Sequence, residues 1–294
     1  MARAANDDLP VLIPHVDDLG VSHGANVALV ELAGLGFVTC GSVMVPCAWF
    51  PEMALMAKER PALDVGVHLT LTSESRACRW RPLSTASPAS GLLDGDGYMW
   101  PDVPTLRHHA DRGALEFELR AQIEAALGAG LDVTHLDTHM GAAAAPEFVA
   151  IYAALGREYQ LPILLARDSA SYDSVLAIGP VDRALYADLI AELDAEGAPL
   201  IDRFAMGLAM RHLSCADAYR DMVRDAAPGI SFLSLHCNAP GDIEAMHPND
   251  ATWRIAEYRL FQQPDFLAWI AAQDVRLSGF REIRDRYRDD LAKA

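Results

Sequence analysis

Positive charge is scarce in this chain. Its 24 lysines and arginines face 41 aspartates and glutamates, a formal net charge of −17. Non-specific nucleic-acid binding depends on Lys and Arg neutralising phosphates, so that partner class is excluded. An anionic membrane surface would likewise repel such a protein. Cysteine is scarce too. Cys40, Cys47, Cys78, Cys215 and Cys237 are dispersed, odd in number and free of CxxC spacing, which reads as reduced thiols and not as a disulfide framework. No stretch approaches the roughly 18 apolar residues of a membrane span. The opening MARAANDDLP has no apolar h-region, so the expected location is the cytoplasm. No internal repeat, linker or low-complexity tract stands out. With 51% hydrophobic residues, the 294-residue chain is expected to form one domain around a sizeable core, residues 1–9 and 289–294 being peripheral.

What is present is an alternation. Short apolar or β-branched runs, VLIPHV (11–16), TCGSVMVP (39–46), DVGVHLTL (64–71), DVTHLDTH (132–139), PILLA (162–166), LIDRF (200–204), ISFLSLH (230–236) and VRLSGF (275–280), read as strands. Between them GANVALVELAGLG, ALEFELRAQIEAALGAG and AYRDMVRDAA repeat apolar residues at three- and four-residue steps, as helices do. This pattern predicts an α/β fold: a single-domain, distorted TIM-like (β/α) barrel of seven to eight parallel strands. A doubly wound open sheet is the alternative. Residues 73–104 break the alternation with Ser, Pro and Gly, interspersed with Trp80, Tyr98 and Trp100. A loop this long inside a domain is usually functional, and its aromatics either stack on a sugar face or serve as apolar anchors.

The chemistry-bearing residues gather at strand ends. In THLDTHMG (134–141), His135, Asp137 and His139 fall at every second position and so project from one face of a strand. A metal site and a hydrogen-bonded core cluster both fit that row. Asp17 and Asp18 are adjacent at the end of the first run, where two carboxylates repel unless a cation or shared proton relieves them. His68 lies in the third run and His236 ends the seventh. In a barrel these C-terminal strand ends form the catalytic face. One carboxylate with two imidazoles is a good ligand set for a divalent cation, which activates water and polarises a carbonyl; a further carboxylate and histidine then serve as base and acid.

These residues resemble the YdjC-like carbohydrate deacetylases, the group that includes chitooligosaccharide deacetylase. HVDDLGVSHGAN is similar to that family's N-A-D-D-F-G and S-x-G-x-N opening, and Gly66-Val67-His68-Leu69 to its G-x-H-L segment. Thr134 to His139 matches T-H-x-D-S-H with Thr for Ser, and His236 stands for its late H-P motif. The resemblance spans nearly the whole chain. It implies a deformed (β/α) barrel, one divalent ion held by Asp18, His68 and His139, Asp17 as general base and His236 as general acid. It also implies an N-acetylated saccharide as substrate and a homodimer. Magnesium is described in some members, whereas two imidazoles favour zinc or another late first-row ion.

Three positions depart from the family pattern. His15 stands where Asn is usual, Met140-Gly141 where further histidines follow, and Cys237 where Pro is usual. The small MGAAAA stretch is expected to open the floor of the site to another acyl group or a bulkier sugar. His135 and Asp137 are expected to orient a ligand imidazole or the base. Arg167 is expected to neutralise the base, hold substrate or pair with Asp168. Asn26 is expected to stabilise the turn into the first helix, and His108 and His109 to mark the solvated start of another. The function implied is metal-dependent removal of acetyl from an N-acetylated sugar. Its alternatives are hydrolysis of a different amide or ester, and a non-catalytic sugar-binding barrel.

Overall fold

Seven of the eight apolar runs become strands. The computed structural model describes residues 9–168, 178–207, 215–226 and 228–293; residues 1–8 and 294, within the termini expected to be peripheral, lie outside them. The strands are β1 (Val11–Leu19), β2 (Cys40–Val43), β3 (Val65–Leu69), β4 (Val133–Thr138), β5 (Arg203–Met206), β6 (Ile230–Leu235) and β7 (Arg276–Leu277). They pair in the order β4-β3-β2-β1-β6-β5, with β7 beside β1, and every pairing is parallel. The run PILLA contributes bridges in place of a full strand. Leu136 pairs with Ile163 and Ala166 with Ile201, while the Leu164 N–H donates to Leu136 and the Ile201 N–H to Leu165. These bridges join β4 to the approach of β5 and close the ring. A distorted (β/α) barrel results, and the open doubly wound sheet does not.

The eighth run is shorter than expected. Only Arg276 and Leu277 pair, with Val11 and Leu12, because β2 takes the same edge of β1 from His15 onward. Gly279 then caps the helix Phe280–Leu291. Helices elsewhere follow the predicted periodicity, among them His23–Ala33 and Arg112–Gly128. Each starts on a side-chain cap, the Ser22 hydroxyl accepting from Ala25 N and the Asp111 carboxylate from Ala114 N. No described helix is long and apolar enough to cross a membrane.

β3 and β4 are buried at every position, as expected of parallel strands covered by helices outside and filled inside. The principal core lies between strands and helices, around residues such as Val16, Leu29, Val67, Leu119 and Leu136. Inside the ring, Ile13, Cys40, Leu164, Ile201, Phe232 and Phe280 form a smaller apolar plug. Two residues further along β1, β2 and β6 stand His15, Ser42 and Ser234, joined by His68 on β3 and by His135 and Asp137 on β4. The interior thus turns from apolar to ionisable toward the C-terminal strand ends. Residues 73–104 cross that end with little regular structure, one 3-10 turn at Pro88–Ser90 and a bridge between Leu93 and Met99.

Candidate active site

Neighbouring residues on a strand point to opposite faces, so Asp17 and Asp18 would ordinarily diverge. They do not. The register of β1 against β2 shifts between Val16 and Leu19, and Asp18 adopts φ 61, in the left-handed region that non-glycine residues rarely enter. The irregularity turns both carboxylates into the ring, a local strain of the kind found at functional sites. Gly20, at φ 80, completes the turn, and its N–H donates to Asn26 Oδ1 at 2.8 Å. Asn26 therefore stabilises the turn, as its position suggested.

Asp18, His68 and His139 offer ligand atoms that all lie within 4.8 Å of one another, and all three residues are buried. Asp18 Oδ1 is 3.1 Å from His139 Nδ1 and 3.3 Å from His68 Nε2. Donor atoms this close, one carboxylate oxygen and two imidazole nitrogens, are of the kinds that would hold a single divalent ion. The far nitrogen of each imidazole is engaged by a carboxylate: His68 Nδ1 lies 2.8 Å from Asp137 Oδ1, and His139 Nε2 lies 2.9 Å from Glu74 Oε2. Histidines that ligate metals are typically backed in this way. Ser42 Oγ donates to the other Asp137 oxygen at 2.7 Å, and Arg254 Nη1 donates to Asp18 Oδ2 at 2.8 Å. The donor set fits one divalent ion.

Electrostatics bind the cluster together. Burial pushes the Asp18 carboxyl up, but Arg254 and the two imidazoles outweigh it and hold Asp18 well below the usual carboxylate range. Burial lowers His139, yet Glu74 and Asp18 push it up to about 9. Asp137 and Asp18 likewise raise His68 against its burial. A cation entering the cluster would displace imidazole protons, so its binding would weaken as pH falls.

Asp17 and His236 flank this cluster. Asp17 Oδ1 meets His15 Nδ1 at 2.6 Å, and Oδ2 accepts from the Ser234 hydroxyl at 2.6 Å. His236 Nε2 stands 3.9 Å from Asp17 Oδ2 and 4.0 Å from Asp18 Oδ2. Its Nδ1 has no hydrogen-bond partner among the described residues. Burial lowers the His236 imidazole to about 4, so it is neutral near pH 7. Its backbone N–H donates to Glu257 Oε2 at 2.6 Å, and its ring meets Trp253 edge-on at 5.4 Å.

The other expected site residues divide between the cluster and its surroundings. Arg167 is held by Asp194 and Asp202 at 2.6 and 2.9 Å, and the cation at the cluster is Arg254. Trp80 is buried beside Met44, Cys47 and Met99, its indole N–H on Thr72 O, and its ring stands edge-on to His139 at 6.0 Å, against the cluster. The Tyr98 ring is covered by Arg79 and Arg81 at 4.8 and 4.4 Å. Trp100 stacks on His109 at 4.5 Å and donates to Gly91 O. These aromatics anchor the loop. His108 and His109 end the helix Val103–His109 instead of starting one. The MGAAAA stretch does not open the floor: Ala142, Ala143 and Ala145 are packed in the principal core, where small side chains let the chain turn sharply through Met140 and Gly141 at φ 54 and 71. Cys237 is fully buried, and burial pushes its thiol up. Sequence reasoning missed Arg254, Glu257 and Glu74. The first two carried a signal, opposite charges three apart on the helix Ala251–Leu260; Glu74 carried none.

Comparison with known proteins follows the same lines. The sequence profile described as "YdjC-like protein" matches residues 11–272. A carbohydrate deacetylase of Thermus thermophilus is 34% identical over 259 residues, covering 87% of each chain. One of Listeria monocytogenes is 30% identical, covering 92% of this chain and 99% of the other. One of Geobacillus stearothermophilus is 27% identical, covering 92% and 97%. Among solved structures, an Enterococcus faecalis protein described as acting in cellobiose-phosphate cleavage shares the fold, with a TM-score of 0.74 and 20% identity over 94% of this chain and 99% of that one. By the extent of these matches, the chain belongs to the YdjC-like protein family.

Proposed function

We propose that this protein hydrolyses the acetamido group of an N-acetylated sugar or oligosaccharide, releasing acetate. The observation that carries the reading is the convergence of Asp18, His68 and His139 into one buried donor set, flanked by Asp17 and His236. Relatives named carbohydrate deacetylases, matched over most of their length, support the substrate class. Asp18, His68 and His139 would hold one divalent ion, which when bound polarises the acyl carbonyl and lowers the pKa of water. Two imidazoles in the set favour zinc over magnesium.

The chain's own groups divide the proton work. Water oxygen adds to the acetyl carbon while Asp17 Oδ2 takes up its proton. The C–N bond then breaks as His236 Nε2 protonates the departing nitrogen, giving acetate and a free amino sugar. His236 starts neutral, so it must gain a proton within the cycle, and the 3.9 Å gap to Asp17 Oδ2 gives that proton a short route. Ser234 fixes the reacting oxygen of Asp17, and Glu257 fixes the backbone that carries His236.

The test is acetate release from a panel of N-acetylated saccharides, with acyl amino acids and aryl esters alongside. Asp17→Asn should lower release by about a hundredfold or more while metal content is kept. Full activity in Asp17→Asn would overturn the mechanism, and turnover of aryl esters alone would overturn the substrate class.

A further inference from the structure

His15 lies deeper in the ring than Asp17, and the proton steps above do not use it. It is fully buried, 4.9 Å from the Phe232 ring and 6.3 Å from Phe280. An imidazole in such surroundings is costly unless both nitrogens are satisfied. Both are. Nδ1 lies 2.6 Å from Asp17 Oδ1, and Nε2 lies 2.9 Å from His135 Nε2. His135 in turn stacks on Phe280 at 4.0 Å and meets Thr134 Oγ1 through Nδ1 at 3.0 Å. Its ring fits only because residue 66 is glycine, where a Cβ would fall 2.5 Å from His135 Cε1.

Two nitrogens 2.9 Å apart share one proton. If it sits on His135, His15 Nε2 accepts, and the proton of His15 is on Nδ1. The 2.6 Å contact between His15 Nδ1 and Asp17 Oδ1 needs a proton between them, and the placement on His135 supplies it as the Nδ1–H of His15. Ser234 meanwhile donates to Oδ2. A donor on each oxygen stops the carboxylate from turning and leaves Oδ2 toward His236 and the Asp18 cluster.

We propose that His15 is a positioning residue for the hydrolysis: it holds Asp17 in the orientation that presents Oδ2 to water, and His135 keeps His15 Nδ1 the donor. This rests on the reading of Asp17 as the base. It also gives a role to the histidine at a position where the resembling family usually has Asn, whose amide nitrogen can stand where Nδ1 stands.

His15→Leu and His15→Asn test it, being alike in size and different in the donor. His15→Leu should lower kcat by about tenfold to a hundredfold, with KM and metal content unchanged, as misplacement of a reacting group does. His15→Asn should keep kcat within a few-fold of wild type. His135→Phe, which keeps the stacked ring and loses the shared proton, should lower kcat with KM unchanged. Wild-type kcat in both His15→Leu and His135→Phe would overturn the inference. Equal losses in the Leu and Asn variants would reduce His15 to packing and overturn it as well. Two ions per wild-type chain, falling to one in His15→Leu, would make His15, His135 and Asp137 a second metal site instead. An active wild type with an unimpaired His15→Leu defeats this inference alone. A wild type that releases no acetate defeats the underlying reading and this one with it.

Discussion

Replacing Arg254 by Met leaves Asp18 without its strongest partner. The pair is buried, with Nη1 2.8 Å from Oδ2 and side-chain exposures of 9% and 5%. Removing one partner of a buried ion pair costs about 3–5 kcal/mol when the remaining charge lacks water, and this is the upper figure here because His139 still faces Asp18 at 3.1 Å. Unfolding entropy near 2.1 cal/mol/K per residue gives roughly 600 cal/mol/K for 294 residues. The expected fall in Tm is therefore about 5–8 °C in the presence of a chelator. Saturating zinc should shrink that fall to less than half, since an ion on Asp18 Oδ1 takes over the neutralising role of the guanidinium. Circular dichroism scans of wild type and Arg254→Met, with chelator and with zinc, give the four values needed. A chelator Tm within 1 °C of wild type would refute the buried-pair argument. Equal falls with and without zinc would refute the coupling between Arg254 and the ion.

Two further outcomes follow from the same site. Glu74→Ala removes the carboxylate behind His139 Nε2 and should weaken zinc binding by about tenfold to a hundredfold, read by competition with a chelating dye; unchanged affinity would remove Glu74 from the metal's support. Glu257 is pushed up to about 7, chiefly by burial, despite accepting from Tyr219 and from the His236 N–H. A carboxyl whose folded pKa is raised contributes its full stability below the unfolded value of 4.5 and loses it as pH rises through 7. Between pH 4.5 and 8 the wild type should thus lose roughly 3 kcal/mol more than Glu257→Gln, measured by urea unfolding. Parallel pH profiles for the two would contradict the assignment.

Much of this architecture was legible because it is periodic. β-Branched runs at regular intervals named the strands in order, and the strand ends named Asp17, Asp18, His68, His139 and His236 as residues that could meet. What stayed hidden was aperiodic. An Asp-Asp pair reads as two faces of a strand, and only the left-handed turn at Asp18 brings both carboxylates inward. PILLA looked like any other strand, and its reduction to bridges follows from ring closure, which no local pattern encodes. Glu74 reaches His139 from a loop, across a separation in sequence that carries no spacing rule. The roles of the loop aromatics stayed hidden for a related reason: Trp80 meets His139 edge-on while its indole N–H ties the loop, Trp100 stacks on His109, and composition does not reveal which side of a ring is covered.

The central claim is that Asp18, His68 and His139 together hold the ion on which hydrolysis depends. Elemental analysis of wild type and the His68→Ala, His139→Ala double variant, each paired with acetate release from one N-acetylated saccharide, tests it directly. One divalent ion per wild-type chain, lost together with acetate release in the double variant, is the predicted result. A double variant that keeps its acetate release without the ion would contradict the account.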